Sequence, residues 1–541
     1  MISNSPSVKH MPSSTAARMR NGFLAVRLGL LAPLLIAAAG IAAYANSFSG
    51  SLVYDDARVF QKLMEGPRLF GLFPVSSRPV TDATFALNYW LSGIKPADYH
   101  ALNLCFHIAT ALILFGLVRR TLGFLTAFAA RPSLPTWFAF AVAGLWVCHP
   151  LTTSAVTYVA QRYEVLMSMF YVLALYGTAR AATSHAPGRW ITLAVLACGL
   201  GMASKEVLVT APVAVVLYDW WFPLRGDWRE GLRKRWRLYA GVAATWLIAA
   251  ALMRMERREG DTAVYAWQGV SALQYGETEL AAIARYLRLS CWPRDLCFDY
   301  SWPVASGVRA VAGPAMLVTV LACLSGLALW RRHAWGFPAV MFFLILLPTS
   351  SVVPRPDPVV EHRMYLALAA VLTCAVGVVV ALGRALAERC PMHGRWGGIG
   401  GAVLAAVMVC LTIGSVARNR VYGSDLALWE DVVLKRPENL RAWMGLGAAL
   451  LSQGDSAEAR KCFAYVLERL DREAVPETSY RRTLAAMAHN NLGVIFFREN
   501  QDGPAAQEFR RALQIAPTFR EAKGNLTKVA ARMGGPSRST P

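Results

Sequence analysis

Apolar runs of helical length, broken by short polar loops, fill the chain to about residue 420, and a repeat of mixed polarity follows. The first run, Phe23 to Ala45, suffices to cross a bilayer, for which a helix needs about 20 apolar residues. Further candidate spans lie near 99–118, 136–157, 163–180, 190–203, 207–223, 238–253, 309–330, 336–352, 364–382 and 398–416. The pattern predicts a polytopic all-α protein with about 11 transmembrane helices. Residues 1–22, Ser-rich with Lys9, Arg18 and Arg20, read as a disordered cytoplasmic tail. Ala43-Tyr44-Ala45 resembles a signal-peptidase site, but the many spans that follow favour an uncleaved first helix.

Basic residues orient these spans. Arg119, Arg120 and Arg131 fall in one loop, Arg180 and Arg189 in a second. Arg225, Arg229, Arg233, Lys234, Arg235 and Arg237 fall in a third, Arg331 and Arg332 in a fourth, Arg384, Arg389 and Arg395 in a fifth. When the spans alternate, all five share the side of the N-terminal tail, which the excess of Lys and Arg marks as cytoplasmic. The alternation requires that 279–297, ETELAAIARYLRLSCWPRD, not cross. Its charges, with Glu277, Glu279, Arg285 and Arg288, suit an amphipathic helix in the outer interface. The expected topology is N-terminus inside and C-terminus outside, in the periplasm beyond a bacterial inner membrane.

Past residue 420, Trp443, Leu446, Gly447, Leu450, Gly454, Ala459 and Phe463 follow the tetratricopeptide pattern, with Pro437 at the preceding turn. Leu492, Gly493, Phe496, Gly503, Ala506, Phe509 and Pro517 repeat it, and a partial third copy runs to Leu526. An insertion around 471–486 separates the first two copies. Such helix pairs bury their apolar faces by stacking into an α-solenoid, whose concave face suits a polypeptide. Trp443 is expected to pack between its two helices. The domains read as a tail (1–22), a transmembrane domain (23–418), a repeat domain (419–535) and a disordered tail (536–541).

Composition agrees: 541 residues, 55% hydrophobic and 16% charged, with mean hydropathy +0.36. The net charge of +21 sits in short loops between spans, so no nucleic-acid partner is expected. Most of the ten cysteines lie inside apolar runs, no CxxC or zinc spacing occurs, and Cys291 and Cys297 read as two unrelated thiols.

With this topology the outer ends of the spans gather polar groups. Asp55 and Asp56 follow the first span, then Arg78, Asp82, Asn88, Tyr89, His100 and Asn103. CHPLTTSAVTYVAQRYE brings His149, Gln161, Arg162 and Glu164; the tight turn GMASKEVLVTAP brings Lys205 and Glu206. LCFDYSWP adds Asp299, and VPRPDPVVEHRMY adds Arg355, Asp357, Glu361, His362 and Arg363. Each alone is accounted for as a snorkelling anchor or a satisfied ion pair. Together, cations and carboxylates reaching one face from five loops mark a working site, because ionisable groups at membrane depth are costly. Asp357, between two prolines, reads as a turn residue, and His107 as a hydrogen-bonded core histidine. Arg and Lys suit a phosphate at headgroup depth, and a partly desolvated carboxylate suits proton removal from a hydroxyl. That combination describes glycosyl transfer from a lipid-linked sugar phosphate. No Walker loop, HExxH or GxSxG elbow is present.

YDDARVF, SRPVTDATFALNYWLSG, YHALNLCFHI, HPLTTSAVTYVAQRYE and SKEVLVTAPVAVVLYD, followed by CFDYSWP, EHRMYL and the repeats, resemble the transmembrane-and-tetratricopeptide O-mannosyltransferases over residues 25–535. The resemblance implies a membrane glycosyltransferase of the GT-C class that uses a polyprenyl-phosphate sugar to modify Ser or Thr of an extracytoplasmic protein. It implies Asp55 as the catalytic base and Asp56 as its acidic neighbour, orienting a cation or capping a helix. Arg78, His149, Arg162, Lys205, Glu206, Glu361, His362 and Arg363 would line the donor pocket, with Glu164 beside them. No metal ligand is assigned; a monophosphate leaving group removes the need for a divalent metal but does not exclude one, and the polyprenyl-phosphate sugar is the donor substrate. The competing readings are a non-catalytic envelope scaffold, for which one span would suffice, and a transporter, whose charges would sit nearer the bilayer midplane.

Overall fold

The computed structural model describes residues 13–64, 77–128, 133–256, 270–355, 357–389, 395–472 and 479–534. Residues 1–12, Arg131, part of the insertion and the tail 536–541 lie outside them. Among the described residues the secondary structure is helical throughout. The membrane part comprises α1 (Ser13–Tyr44), α2 (Asp56–Met64), α3 (Pro79–Ser92), α4 (Pro96–Gly123), α5 (Leu134–Val147) and α6 (Thr153–Val156). It continues through α7 (Arg162–Thr183), α8 (Pro187–Met202), α9 (Ala211–Trp221), α10 (Trp228–Glu256) and α11 (Ala272–Cys291). It closes with α12 (Ala312–Trp330), α13 (Gly336–Leu346), α14 (Met364–Arg389) and α15 (Arg395–Val421).

Among the described residues, seven segments are long and apolar enough to cross a membrane: Gly29–Ser49, Pro96–Gly123, Val159–Thr183, Trp228–Arg254, Val308–Trp330, Glu361–Arg389 and Trp396–Val421. An eighth is possible only as a broken pair, Leu134–Val147 with Pro150–Val156, bent by 53°. The chain is an integral membrane protein. The other three expected spans are helical but short. α8 stops at Met202 before the polar Ser204-Lys205-Glu206, α9 has 11 residues after a 3-10 turn, and α13 ends at Leu346 ahead of Pro348.

α11 is not among the apolar spans. Ser271 opens it with a capping box that pairs it reciprocally with Gln274. Tyr275, Ile283, Tyr286 and Leu289 form its buried stripe, and it packs on α12 and α14. The bundle core centres on Trp146, which lies beside His107 and Tyr365. His107 bonds the Tyr365 hydroxyl at 2.8 Å and the Val147 carbonyl at 3.1 Å, a satisfied core histidine. At the opposite end from the polar loops' helix turns, the basic loops adjoin one another: Arg332 donates to the Arg225 carbonyl, and Arg384 lies 5.6 Å from the Phe128 ring.

The C-terminal part is a run of packed helices: α16 (Asp425–Lys435), α17 (Leu440–Ser452), α18 (Ser456–Arg472), α19 (Ser479–Arg498), α20 (Asp502–Ile515) and α21 (Arg520–Met533). Ser424 and Asn439 cap the first two by accepting backbone amides. A Cβ on Gly447 would come within 2.7 Å of the Phe463 ring, and one on Gly493 within 2.7 Å of Phe509. Both glycines thus let a helix close onto a phenylalanine 16 residues further on. Trp443 is half-buried, with its ring 4.6 Å from Tyr465 on α18 and its indole donating to the Pro437 carbonyl.

Candidate functional site

The loop after α1 is built to present one carboxylate and bury the next. Ser51 donates to the Gly423 carbonyl through its amide and its hydroxyl, and the Tyr54 amide donates to Asp425 Oδ1 at 2.8 Å. Tyr54 has φ +49°, a left-handed conformation that costs a bulky residue energy and persists only where its surroundings hold it. Its ring packs edge-on against Phe298 and Trp429. The next residue, Asp55, keeps its side chain 41% exposed, enough to meet a substrate, and pairs with Arg58 at 3.3 Å. Its amide donates to the Tyr158 hydroxyl. Burial pushes the Asp55 carboxyl above its usual range, against the pull of Arg58 and Tyr158.

Asp56 is fully buried. Its Oδ2 accepts the Val53 amide at 3.0 Å and its Oδ1 the Ala160 amide at 2.6 Å. Burial pushes its carboxyl up to about 7; the two amides oppose this and the Asp55 charge adds to it. The hydrogen bonds of Asp56 go neither to a cation nor to the first turn of α2; its carboxylate ties the loop to the segment before α7. Mutual repulsion between the neighbouring carboxylates is secondary to desolvation.

A second group forms where α3 meets the 203–206 turn. The Val80 amide donates to Ala203 O, and Thr81 bonds Ser204 O, which brings Arg78 to Glu206 at 3.2 Å. Arg355 reaches the same carboxylate at 3.3 Å. Lys205 is paired with Glu164 at 2.5 Å. Burial alone would raise the Glu206 carboxyl, but Arg78, Lys205 and Arg355 outweigh it and hold it at about 2. Arg78 and Arg355 thus converge on one carboxylate, and Arg78 also lies 5.0 Å from the ring of Tyr163, whose hydroxyl donates to Asp82. His362, half-buried and with no hydrogen bond to its ring among the described residues, lies within electrostatic reach of Lys205, Arg363 and Arg78.

The remaining expected site residues act as braces. His149 accepts the Leu151 amide at Nδ1 and bonds Ser290 O through Nε2, fixing the break between α5 and α6. Arg162, fully buried, donates to Asn103, Asn88 and the carbonyls of Thr84 and Tyr99, and its guanidinium stacks 4.2 Å from Phe85. Glu361 accepts from the Cys297 amide and Tyr300 hydroxyl and pairs with Arg418. Arg363 holds Glu279 at 3.3 Å and the carbonyls of Pro358 and Asp357.

Asp357 is more than a turn residue. It shares Arg441 of α17 with Asp299, at 2.7 and 2.5 Å. Arg418 joins Glu361 to Asp431, and Lys435 joins Asp431 to the Leu296 carbonyl. The C-terminal helices are therefore docked onto the loops that carry the site. Tyr54, Tyr158, Arg418 and Arg441 escaped sequence reasoning. Arg441 carried a weak signal, a cation two residues before the repeat tryptophan. Below this face lies an apolar cavity of about 670 Å³ between α4, α7, α9, α13 and α14. Tyr171, Ile345 and Leu366 line one end and Phe128, Trp335 and Arg384 the other; its wall includes the exposed Val378 and Leu382.

Fold and site together define an integral membrane protein whose helical C-terminal array is braced against a polar face of its loops. Residues 102–253 match the family model described as dolichyl-phosphate-mannose-protein mannosyltransferase. The chain is 23% identical to protein O-mannosyl-transferase TMTC4 of Mus musculus, over 80% of this chain and 66% of that protein. It is 21% identical to TMTC3 of Homo sapiens, over 85% and 56%, and 25% identical to Tmtc3 of Drosophila melanogaster, over 93% and 60%. The resemblance to the TMTC-like O-mannosyltransferases therefore extends over most of the chain, which itself spans about 56–66% of the relatives' length. No solved structure matches it.

Proposed function

We propose that the protein is a membrane glycosyltransferase that moves a mannose-like sugar from a polyprenyl-phosphate donor to Ser or Thr of an extracytoplasmic protein. One observation carries this reading: a cluster of cations, Arg78, Lys205 and Arg355, stands at the head of an apolar cavity. Leu366, at the head of the cavity, follows His362 by one turn of helix, and Tyr171 beside it bonds Thr210, one turn past Glu206. α14 runs along the cavity from Leu366 to Arg384, about 27 Å at 1.5 Å per residue, and Val378 and Leu382 open it towards lipid. A phosphate at Arg78, Lys205, Arg355 and His362 would leave a prenyl chain in that cavity.

In the transfer, the acceptor hydroxyl gives its proton to Asp55, and its oxygen bonds the anomeric carbon. The bond from that carbon to the phosphate oxygen breaks, and polyprenyl phosphate leaves, its charge met by the cations. Asp55 suits the base because it is half-exposed on a held loop. This reading takes the C-terminal helices as a tetratricopeptide α-solenoid, with the Gly447–Phe463 and Gly493–Phe509 contacts in its favour. It takes the short helices α8, α9 and α13 and the bent α5–α6 pair as completing about 11 spans of a GT-C fold. The orientation is that of a bacterial inner membrane protein with periplasmic repeats.

The test is turnover by the purified full-length protein. It should transfer sugar from polyprenyl-phosphate mannose to a Thr-containing peptide, and Ala370→Trp, which fills the cavity, should weaken long-chain donors more than short-chain ones. No binding and no transfer with any polyprenyl-phosphate sugar would refute the reading.

A further inference from the structure

The repeat array breaks its own period, and the break ends on a helix, α19, that packs against α17. Gly447 and Gly493 hold the same place in their hairpins, each against a phenylalanine ring, yet lie 46 residues apart where the repeat period is about 34. Matched on those glycines, Leu440, which opens α17, corresponds to Ala486, whereas α19 opens at Ser479. The seven added residues make two turns, about 10 Å of helix. Tyr480 lies in the first of these turns and is 41% exposed. Leu484, one turn on, packs with Leu440 and Met444 of α17, which sets Tyr480 at the end of α17 that carries Arg441. Tyr54 packs 5.4 Å from Trp429, whose ring lies against Gly445 of the same helix. Tyr480 is thus within electrostatic reach of Arg441 and Tyr54. Tyr54 is 38% exposed, and so is the Asp357 side chain.

We propose that Tyr480 and Tyr54 flank an acceptor-peptide subsite, with Arg441 as its positioning residue, in which an extended segment lies between the repeat array and the Asp55 loop. The proposal rests on the glycosyl-transfer reading above and adds to it a place and an occupant. Two tyrosine rings give a chain large contact area at small entropic cost, and their hydroxyls exchange hydrogen bonds with a peptide backbone. Asp55 and Asp357, both partly exposed, accept from amides and from the reacting hydroxyl. Arg441 is held by two carboxylates from different loops, so it fixes the array against the loops of Asp299 and Asp357, while Asp425 and Trp429 hold it to the loop of the base through Tyr54. The cations suited to a phosphate surround His362 instead, which puts the tyrosines on the acceptor's side of Asp55. The two added turns of α19 then deliver a wall of the active site.

The test is peptide affinity of the full-length protein in detergent, with a fluorescein-labelled octapeptide bearing one central threonine. The parent should bind saturably, Tyr480→Ala should raise Kd about 5–20-fold, and Tyr480→Phe should stay within about twofold. No saturable binding by the parent, or parental affinity in Tyr480→Ala, overturns the proposal. So does a loss of affinity for polyprenyl-phosphate mannose in Tyr480→Ala with peptide affinity intact, which would put the ring on the donor sugar. Donor binding is measured in the same preparations. A parent that binds peptide in a Tyr480-dependent way but binds no donor supports the subsite and refutes the glycosyl-transfer reading, so the two failures are told apart.

Discussion

Asp56 accepts the amide of Ala160 at 2.6 Å across 104 residues of chain, and the same carboxylate holds the Val53 amide. Replacing it by Asn swaps one acceptor oxygen for an amide that faces a backbone donor. Leaving a buried donor unmade costs about 1–3 kcal/mol. Asp56→Asn is therefore expected to melt earlier than the parent and to lose transfer through displacement of the Tyr54–Asp55 turn. Parental melting and parental transfer in this variant would remove the positioning role.

Asp55 behaves differently because its carboxylate is half-exposed and its structural partner is the exposed Arg58. Asp55→Asn should keep the melting temperature and donor affinity of the parent, yet transfer sugar about 10²–10⁴-fold more slowly, the usual worth of a positioned base. Transfer at the parental rate would end its assignment as the base.

The donor-side cations divide by what they leave behind. Removing Lys205 or Arg363 strands a buried Glu164 or Glu279, so Ala at either position should cost about 3–5 kcal/mol of stability and blur any binding measurement. Glu206 retains Arg355 when Arg78 is removed. Arg78→Ala and His362→Ala are expected to fold and to weaken binding of polyprenyl-phosphate mannose by about 1.5–3 kcal/mol, the worth of a hydrogen bond to a charged group. Equal donor affinity in both variants and the parent, by titration in detergent, would move the phosphate elsewhere.

Glu206 also sets a pH dependence. Its carboxyl, held at about 2 by Arg78, Lys205 and Arg355, lies below the ordinary value of 4.5 for the unfolded chain. The unfolded state then binds the proton first, so the stability this group contributes is complete above pH 4.5 and is lost as pH falls towards 2. Melting temperature should drop over that window in the parent and drop less in Glu206→Gln. Identical slopes would show that the guanidiniums do not act on this carboxylate.

Much of this was legible because each signal was local. Eight of the expected crossings rest on apolar runs that recur as long helices or as the bent pair. The three that fall short, at α8, α9 and α13, have apolar composition, but Lys205, Glu206 and Pro348 end their helices early. Their residues carry the hydropathy of a span without its length. The candidate site was legible as a roster: Asp55, Arg78, Lys205, Glu206 and His362 could be named from the polar loops between apolar runs. Which of them are reachable was not, because that depends on partners far along the chain. The partners of Arg162 lie 59–78 residues away, those of Glu361 57–64 away, and Arg441 reaches back 142 residues to Asp299. No periodicity records such pairings.

The segment from Arg355 to Arg363 has a consequence of its own. Arg355 grips Glu206 on the proposed donor side, the Asp357 carboxylate grips Arg441 on the proposed acceptor side, and the Asp357 carbonyl is held by Arg363. A ligand that draws on Arg441 therefore perturbs the strap that also positions the donor cations. Linkage makes such an effect symmetric: whatever factor the acceptor adds to donor affinity, the donor must add to acceptor affinity. On the proposed reading, occupancy of the two subsites is then set by the affinities and concentrations of donor and acceptor, and neither favours the other without being equally favoured in return.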